Sequence, residues 1–274
     1  MLVFVITRSA VGELWPMMIS HWVLIFVASA LAGLINSVAG GGTLVTFPTL
    51  VWLGQPPIIA NATNTAAIWP GSLGSLWGYR QELRSTNRQL YLLVIPSLVG
   101  GIVGAILLKQ TPPGVFAELV PFLILFATLL FTVQGPVQRW LRLQELHRDG
   151  ITRGWMFMAG LFQFAVAVYG GYFGAGIGIL MLAALSVLGL TEIHQMNGLK
   201  SLFAMCINAV AAFYFMASGL VAWKVAAVMV VGATASAYGG AGIARRLDPR
   251  VVRRIVIGIG FAMAVSLFLE RLKT

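Results

Sequence analysis

The sequence predicts an all-α polytopic membrane protein made of two inverted repeats of five membrane elements each. Three observations support this fold class: a very apolar composition, two apolar segments too long for single helices, and basic residues gathered in three short loops. The two long segments, residues 22–52 and 155–188, each contain glycines that weaken a continuous helix. We therefore predict a glycine-broken helical hairpin in each of them.

Composition excludes a soluble globular domain. Hydrophobic residues make up 59% of the chain and charged residues 9%, whereas soluble domains contain about 25% charged residues. A membrane-spanning helix needs about 20 apolar residues. Eight apolar segments of suitable length or longer cover residues 22–52, 58–79, 90–108, 115–133, 155–188, 197–218, 221–244 and 251–269.

The topology follows from the basic loops at residues 80–88, 139–153 and 245–254. Lys and Arg in short loops mark the cytoplasmic side of a membrane. All three loops can lie on that side only if the segment at 155–188 enters and leaves the membrane on one side, and we apply the same logic to the segment at 22–52. Each half then has five membrane elements, and because five is odd the second half is inverted, with both termini outside the cytoplasm.

This topology divides the chain into four parts. We predict an N-terminal segment at 1–21, a first membrane repeat at 22–133, a basic cytoplasmic linker at 134–153 and a second membrane repeat at 154–274. The net charge of +10 comes mainly from basic residues in the short loops, and these residues do not form an aromatic-rich basic face that could bind nucleic acid. Nucleic acid is therefore not a predicted partner.

An internal repeat supports the division into halves. The stretch GLINSVAGGGTLVTFPTLVWLGQPPIIANATNT begins at Gly33, and a diverged copy begins at Gly160 with GLFQFAVAVYGGYFGAGIG, followed by LSVLGL and HQMNGLKS. Glycine break, apolar run, Leu-Gly turn and polar cluster recur in the same order. A shift of about 136 residues aligns the two polar clusters, Asn61 with Asn197 and Asn64 with Lys200.

The two glycine breaks are the predicted functional site. Broken backbone inside a bilayer is tolerated where protein or a water-filled cavity surrounds it. Two hairpins in inverted copies would bring half-helix N-termini, with their amides and positive dipole ends, to one shared space that suits an anion. The alternative is that the glycines simply allow helices to pack closely.

The predicted substrate-binding residues combine one cation with amides, hydroxyls and glycines. Lys200 would offset the charge of a bound anion, or else its ammonium extends to the membrane interface. The amides and hydroxyls would donate hydrogen bonds, or else cap helices, join neighbouring helices or pack. The set is Asn36, Gly40, Gly41, Gly42, Thr43, Asn61, Asn64, Thr65, Gln163, Tyr169, Gly170, Gly171, Asn197, Lys200 and Ser201.

Nothing in the sequence points to an enzyme. It contains no Walker motif, no paired intramembrane carboxylates, no His-rich cluster and no nucleophile-base pair. Cys206 is the single cysteine, which rules out a disulfide framework and a paired-cysteine metal site. We therefore predict no catalytic residue, no metal site and no cofactor.

At the stretch that begins at Gly33, and at its copy GGYFGAGIGILMLAALSVLGL with NGLKS, the sequence resembles the sulfite exporter family called TauE/SafE, a group of bacterial membrane permeases. The resemblance extends over nearly the whole chain. It implies export or uptake of sulfite, sulfonates or related small organic anions through the bacterial inner membrane, driven by an ion gradient. Family members typically carry a small residue where Asn64 and Lys200 stand here, so the substrate itself is left open.

Three functions are compatible with these features. The first is a secondary transporter of a small sulfur-containing anion that works by alternating access. The second is an anion channel, and the third is a non-transporting membrane scaffold or assembly factor. The predicted partners are the anionic substrate and the lipid bilayer; a homodimer is also compatible with the sequence.

Overall fold

The computed structural model describes residues 19–38, 41–84, 86–143, 153–187, 190, 192–239 and 249–271, and within these ranges all regular structure is helical. The helices are α1 Ile19–Val38, α2 Thr43–Trp52, α3 Pro57–Gly78, α4 Arg80–Arg84, α5 Val94–Gln110 (preceded by a 3₁₀ helix, Arg88–Leu93), α6 Pro113–Leu143, α7 Arg153–Tyr172, α8 Ile177–Val187, α9 Ile193–Ala217, α10 Trp223–Gly239 and α11 Pro249–Arg271.

Four helical stretches within the described residues have the length and composition of membrane-spanning elements. Ile19–Asn36, Arg88–Gln110, Pro113–Val133 and His194–Ala217 are each long and apolar enough to cross a bilayer. Large apolar side chains such as Val23, Phe122 and Phe157 point outward, where lipid solvates them. The predicted all-α polytopic membrane protein is thus confirmed.

Both long segments are broken, and glycines with a left-handed backbone mark the breaks. Between α1 and α2, Gly41 has φ +99°; between α7 and α8, Gly174 and Gly176 have φ +82° and +80°. A β-carbon makes this backbone conformation unfavourable, so glycine is the residue that adopts it at low cost. The glycine interruptions seen in the sequence are therefore real interruptions of the helices.

The second break lies after Gly170 and Gly171, the two glycines of this segment that were predicted to bind the substrate. Gly170 and Gly171 lie inside α7, which ends two residues later. A β-carbon on Gly171 would be 2.1 Å from the carbonyl oxygen of Gly101 in α5, and one on Gly170 would be 2.9 Å from Ile207 Cγ2 in α9. Both glycines thus serve close helix packing, the alternative role foreseen for them. Gly40 lies outside the described residues.

Helices from the two halves pair in a reciprocal pattern. The two most extensive pairs are α5 with α7 and α1 with α10. If the short helix α4 is left aside, the described part of each half has five α-helices, and the first helix of each half packs against the fourth helix of the other. The pairs α3 with α9 and α6 with α11 join corresponding elements of the two halves. The halves are therefore interleaved.

Helices α3 and α9 pack against each other in opposite directions. Gly198 near the start of α9 faces Tyr79, which follows the end of α3. At the opposite end of this pair, the amide of Ala222, beyond the end of α9, donates to Thr63 Oγ1 near the start of α3. The pair formed by α3 and α9 is thus antiparallel.

Helices α6 and α11 are arranged in the same way as α3 and α9. Gly260 of α11 lies against Thr128 of α6. Further along the same pair of helices, the rings of Phe122 in α6 and Phe268 in α11 meet edge to face, with 5.0 Å between their centroids. Because the lower-numbered residue of α6 meets the higher-numbered residue of α11, these helices are also antiparallel.

The apolar core places the first half-helix against the second break. Phe47 of α2 and Phe173 at the break are both buried, and their ring centroids are 5.1 Å apart in an edge-to-face contact. Aromatic pairs in this geometry add stability beyond that from area burial. This contact holds the two broken segments together from opposite halves of the chain.

Candidate functional site

The first break is held by a side chain from the helix that precedes it. Asn36 Oδ1 accepts a hydrogen bond of 2.8 Å from the amide of Gly42, which caps the start of α2. The first amides of a helix have no partner within it, so Asn36 satisfies one of them. A β-carbon on Gly42 would be 2.6 Å from the carbonyl oxygen of Ala32, so the backbone itself packs against α1 here.

One turn into α2, a buried hydroxyl links the half-helix to α3. Thr46 Oγ1 lies 3.1 Å from the carbonyl oxygen of Gly42 and within hydrogen-bond distance of Asn64 Oδ1. Thr46 and Asn64 are both almost completely buried. Asn64 was a predicted site residue, whereas Thr46 was not, because it is one of three threonines in the apolar run TLVTFPTLVW and nothing in the sequence distinguishes it from Thr49.

Asn61 connects α3 to the second break. Its Nδ2 donates a hydrogen bond of 2.9 Å to the carbonyl oxygen of Tyr172, the last residue of α7. Its Oδ1 is buried and has no hydrogen-bond partner among the described residues. The hydroxyl of Thr65 donates to the carbonyl oxygen of Asn61 and so is used within α3.

Tyr169 forms a hydrogen bond across the second break. Its hydroxyl donates a hydrogen bond of 2.7 Å to the carbonyl oxygen of Ala175, across the turn that joins α7 to α8. Its ring meets that of Phe126 in α6 edge to face, at 5.5 Å. The hydroxyl proton is therefore used within the protein, and the role predicted for Tyr169 in binding stays a prediction.

Lys200 lies along the start of α8. Its Nζ donates a hydrogen bond of 2.9 Å to Asn197 Oδ1, one turn earlier in α9. Its aliphatic stem covers Gly178, where a β-carbon would be 3.2 Å from Lys200 Cδ. A positively charged side chain thus stands beside the N-terminal end of α8, which carries a partial positive charge of its own.

Gln163 lies away from both breaks. Its Nε2 donates a hydrogen bond of 2.9 Å to Ser97 Oγ of α5, and both side chains are buried. Gln163 precedes the end of α7 by nine residues, roughly 14 Å along the helix axis. The structure therefore gives it the interhelical role that was the alternative to ligand binding.

The two breaks approach the same stretch of α6. A β-carbon on Gly41 would be 2.2 Å from Phe131 Cζ, and one on Gly176 would be 3.3 Å from Leu130 Cδ1. Half-buried Thr43 begins α2 at one break, and Lys200 flanks α8 at the other. The predicted site residues that lie at or beside the breaks are Asn36, Gly41, Gly42, Thr43, Asn61, Asn64, Tyr169, Asn197 and Lys200. 

One further polar residue at the second break was not predicted. Asn208, half-buried in the middle of α9, has its Oδ1 3.8 Å from the position that a β-carbon on Gly174 would take. An amide in the middle of an apolar membrane helix is itself a functional signal. That signal was present in the sequence, but no repeat partner or neighbouring motif emphasised it.

Comparisons with known proteins agree with this membrane architecture. The family model described as sulfite exporter TauE/SafE matches residues 25–267. A "probable membrane transporter protein" of Haemophilus influenzae is 25% identical over 90% of this chain and 94% of its own length. The protein YfcA of Escherichia coli K12, named in the same words, is 27% identical over 90% of this chain and 89% of its own. No solved structure matches the chain significantly.

Proposed function

We propose, since this chain belongs to the sulfite exporter TauE/SafE family, that it moves sulfite, a sulfonate or a related small sulfur-containing anion across the bacterial cytoplasmic membrane. The chain is a membrane transporter of this family. The identity of the anion and a mechanism by alternating access are our proposal. The relatives' names state membrane transport and no substrate.

The placement of Lys200 is the observation that supports an anionic substrate. Its ammonium is hydrogen-bonded to a neutral amide oxygen, and its aliphatic stem runs along the positive end of α8. Two positive centres close together repel each other, and a bound anion between them would stabilise both. Discontinuous membrane helices of transporters use half-helix N-termini for anionic groups in the same way.

The oxygens of sulfite and of a sulfonate are hydrogen-bond acceptors, so their site needs donors. Backbone amides at the start of α8 would supply donors at the second break. At the start of α2, the amides of Gly42, Leu44, Val45 and Thr46 already have partners within the protein. We assign charge compensation to Lys200, and we assign hydrogen bonding to Asn36, Thr43, Asn64 and Asn197. Ser201, which is buried in α9 next to Lys200, is a further proposed donor. Gly41 and Gly42 let the backbone of the first break pack against Phe131 and α1, which positions the start of α2.

We also propose that the two halves are inverted repeats that rock about the anion to expose it to each side in turn. The antiparallel pairs of α3 with α9 and of α6 with α11 support this proposal. Repeats related by an axis along the membrane normal would place corresponding helices parallel instead. The reciprocal pairing of first and fourth elements is a second support.

The proposed topology places the C-terminus outside the cytoplasm, since five elements follow the cytoplasmic linker at 134–153. A fluorescent protein that matures in the cytoplasm, fused after Thr274, should therefore stay dark while the fusion is detected in the membrane fraction. The same reporter fused to a chain truncated after His147 should be bright. A bright C-terminal fusion would contradict the inverted arrangement.

Transport itself is tested with purified protein in proteoliposomes. We expect labelled sulfite or a sulfonate to accumulate against its own gradient when an ion gradient is imposed. The same anion should raise the melting temperature of the protein in detergent, because a ligand that binds the folded state stabilises it. Movement that only dissipates the anion gradient would indicate a channel, and neither movement nor binding would indicate a scaffold; either result would overturn the proposal.

A further inference from the structure

The side-chain oxygen of Asn61 has no hydrogen-bond partner among the described residues, and the contact made by the other atom of the amide determines which way the amide group faces. Asn61 is 1% exposed, and its Nδ2 lies 2.9 Å from the carbonyl oxygen of Tyr172. A carbonyl oxygen can only accept a hydrogen bond, so the nitrogen of the amide must face it. The other atom, Oδ1, is then left buried and unpaired among the described residues.

The electrostatic surroundings of this oxygen are negative. Tyr172 is the last residue of α7, and the carbonyl groups at a helix C-terminus carry a partial negative charge. The carbonyl oxygen of Tyr172 has two lone pairs, of which the bond from Asn61 uses one. The Asn61 amide, with its unpaired oxygen, and the carbonyl oxygen of Tyr172 therefore meet at the negative end of α7, and both oxygens have acceptor capacity left.

A buried acceptor without a donor is unfavourable, so a native structure usually gives it a donor or a cation. The transported anion is the wrong complement, because its oxygens are acceptors as well. Divalent metals usually require carboxylates, and among the described residues no group of three or more His, Cys, Asp or Glu side chains could hold a metal ion. Neutral amide and carbonyl oxygens suit a monovalent alkali cation instead.

We propose that Asn61 Oδ1 and the carbonyl oxygen of Tyr172 form part of a binding site for a small alkali cation, with sodium as the expected ion. This inference rests on the proposed function and identifies the ion whose gradient would drive transport of the anion. The second break then has two opposite ends: the C-terminus of α7 binds the cation, and the N-terminus of α8 with Lys200 binds the anion. Asn61, which the sequence predicted to bind the anion, serves the cation instead.

This arrangement couples the two ligands. The four residues 173–176 separate the end of α7 from the start of α8, so the cation and the anion would be close enough to attract each other. Each ligand should therefore raise the affinity for the other by the same factor. Transport of the anion would draw on the gradient of the cation.

The direct test is thermal unfolding of the purified, anion-free protein in sodium, potassium or choline chloride at equal ionic strength. Sodium should raise the melting temperature of the wild type above that in choline, with a saturable concentration dependence. Asn61→Ala should lose this increment. Equal melting temperatures of the wild type in all three salts would overturn the proposal, and this arm requires no variant to fold.

Ser97→Ala is a matched control, because it also removes a buried hydrogen bond between helices, but away from the breaks. It should lower the melting temperature equally in every salt while keeping the sodium increment. If Asn61→Ala also keeps the increment, a sodium site exists elsewhere in the protein and the assignment to Asn61 is overturned.

A transport experiment separates this inference from the proposed function. Uptake of sulfite, supplied as a choline salt, should be at least tenfold faster with an inward sodium gradient than with choline alone. Equal uptake in both conditions would overturn the cation site and leave anion transport intact. A sodium-dependent melting temperature without binding or uptake of any sulfur anion would overturn the proposed substrate and leave the cation site intact.

Discussion

Replacing Lys200 with methionine should weaken binding of the transported anion tenfold to hundredfold, or about 1.4–2.7 kcal/mol. At an effective dielectric constant near 20, two opposite charges ~4 Å apart attract by about 4 kcal/mol before desolvation is subtracted. The net loss must be smaller, since the anion keeps its hydrogen bonds to amides. Methionine retains the apolar length that covers Gly178 and removes the charge.

Titration of sulfite or a sulfonate into purified wild type and variant measures this effect. Lys224→Met is the control, because Lys224 is an exposed lysine at the start of α10, and its removal should leave the affinity unchanged. Without anion, Lys200→Met should not lower the melting temperature, since it removes a positive charge beside the positive end of α8. Unchanged anion affinity would take Lys200 out of the site.

Replacing Gly41 with leucine should abolish transport while the protein still inserts into the membrane. Gly41 has φ +99°, and a β-carbon there would be 2.2 Å from Phe131 Cζ. The substitution therefore strains the backbone and also pushes the break away from α6. Uptake into proteoliposomes, normalised to inserted protein, measures the loss, and activity near that of the wild type would contradict a functional role for this break.

Two controls separate the causes of this loss. Gly219 also has a left-handed backbone, at φ +70°, but nothing lies within 4 Å of its β-carbon position. Gly219→Leu should thus cost about 1–2 kcal/mol of stability from strain and leave transport intact. Removing the ring in the double variant Gly41→Ala, Phe131→Ala should restore part of the transport lost in Gly41→Ala.

The contacts that build the site could not be derived from the sequence. Asn61 and Tyr172 are 111 residues apart, and Gln163 and Ser97 are 66 residues apart. Before folding, each amide is an equally good candidate for a ligand, a cap or an interhelical bond. The structure assigned Gln163 to α5 and gave Asn61 an orientation in which an acceptor is left over, because partners distant in the chain are chosen by helix packing.

The sequence by itself determined that this protein is a helical membrane protein with two broken segments, because apolar run length and glycine content act locally on lipid solvation and on backbone freedom. It also determined which family the chain resembles. Tertiary structure decided which glycines break a helix and which pack one. Gly174 and Gly171 are the same residue type three positions apart, yet one has a left-handed backbone and the other contacts Gly101 within a continuous helix. The packing of α5 against α7 at Gly171 causes this difference, and the residues next to each glycine in the sequence do not indicate it.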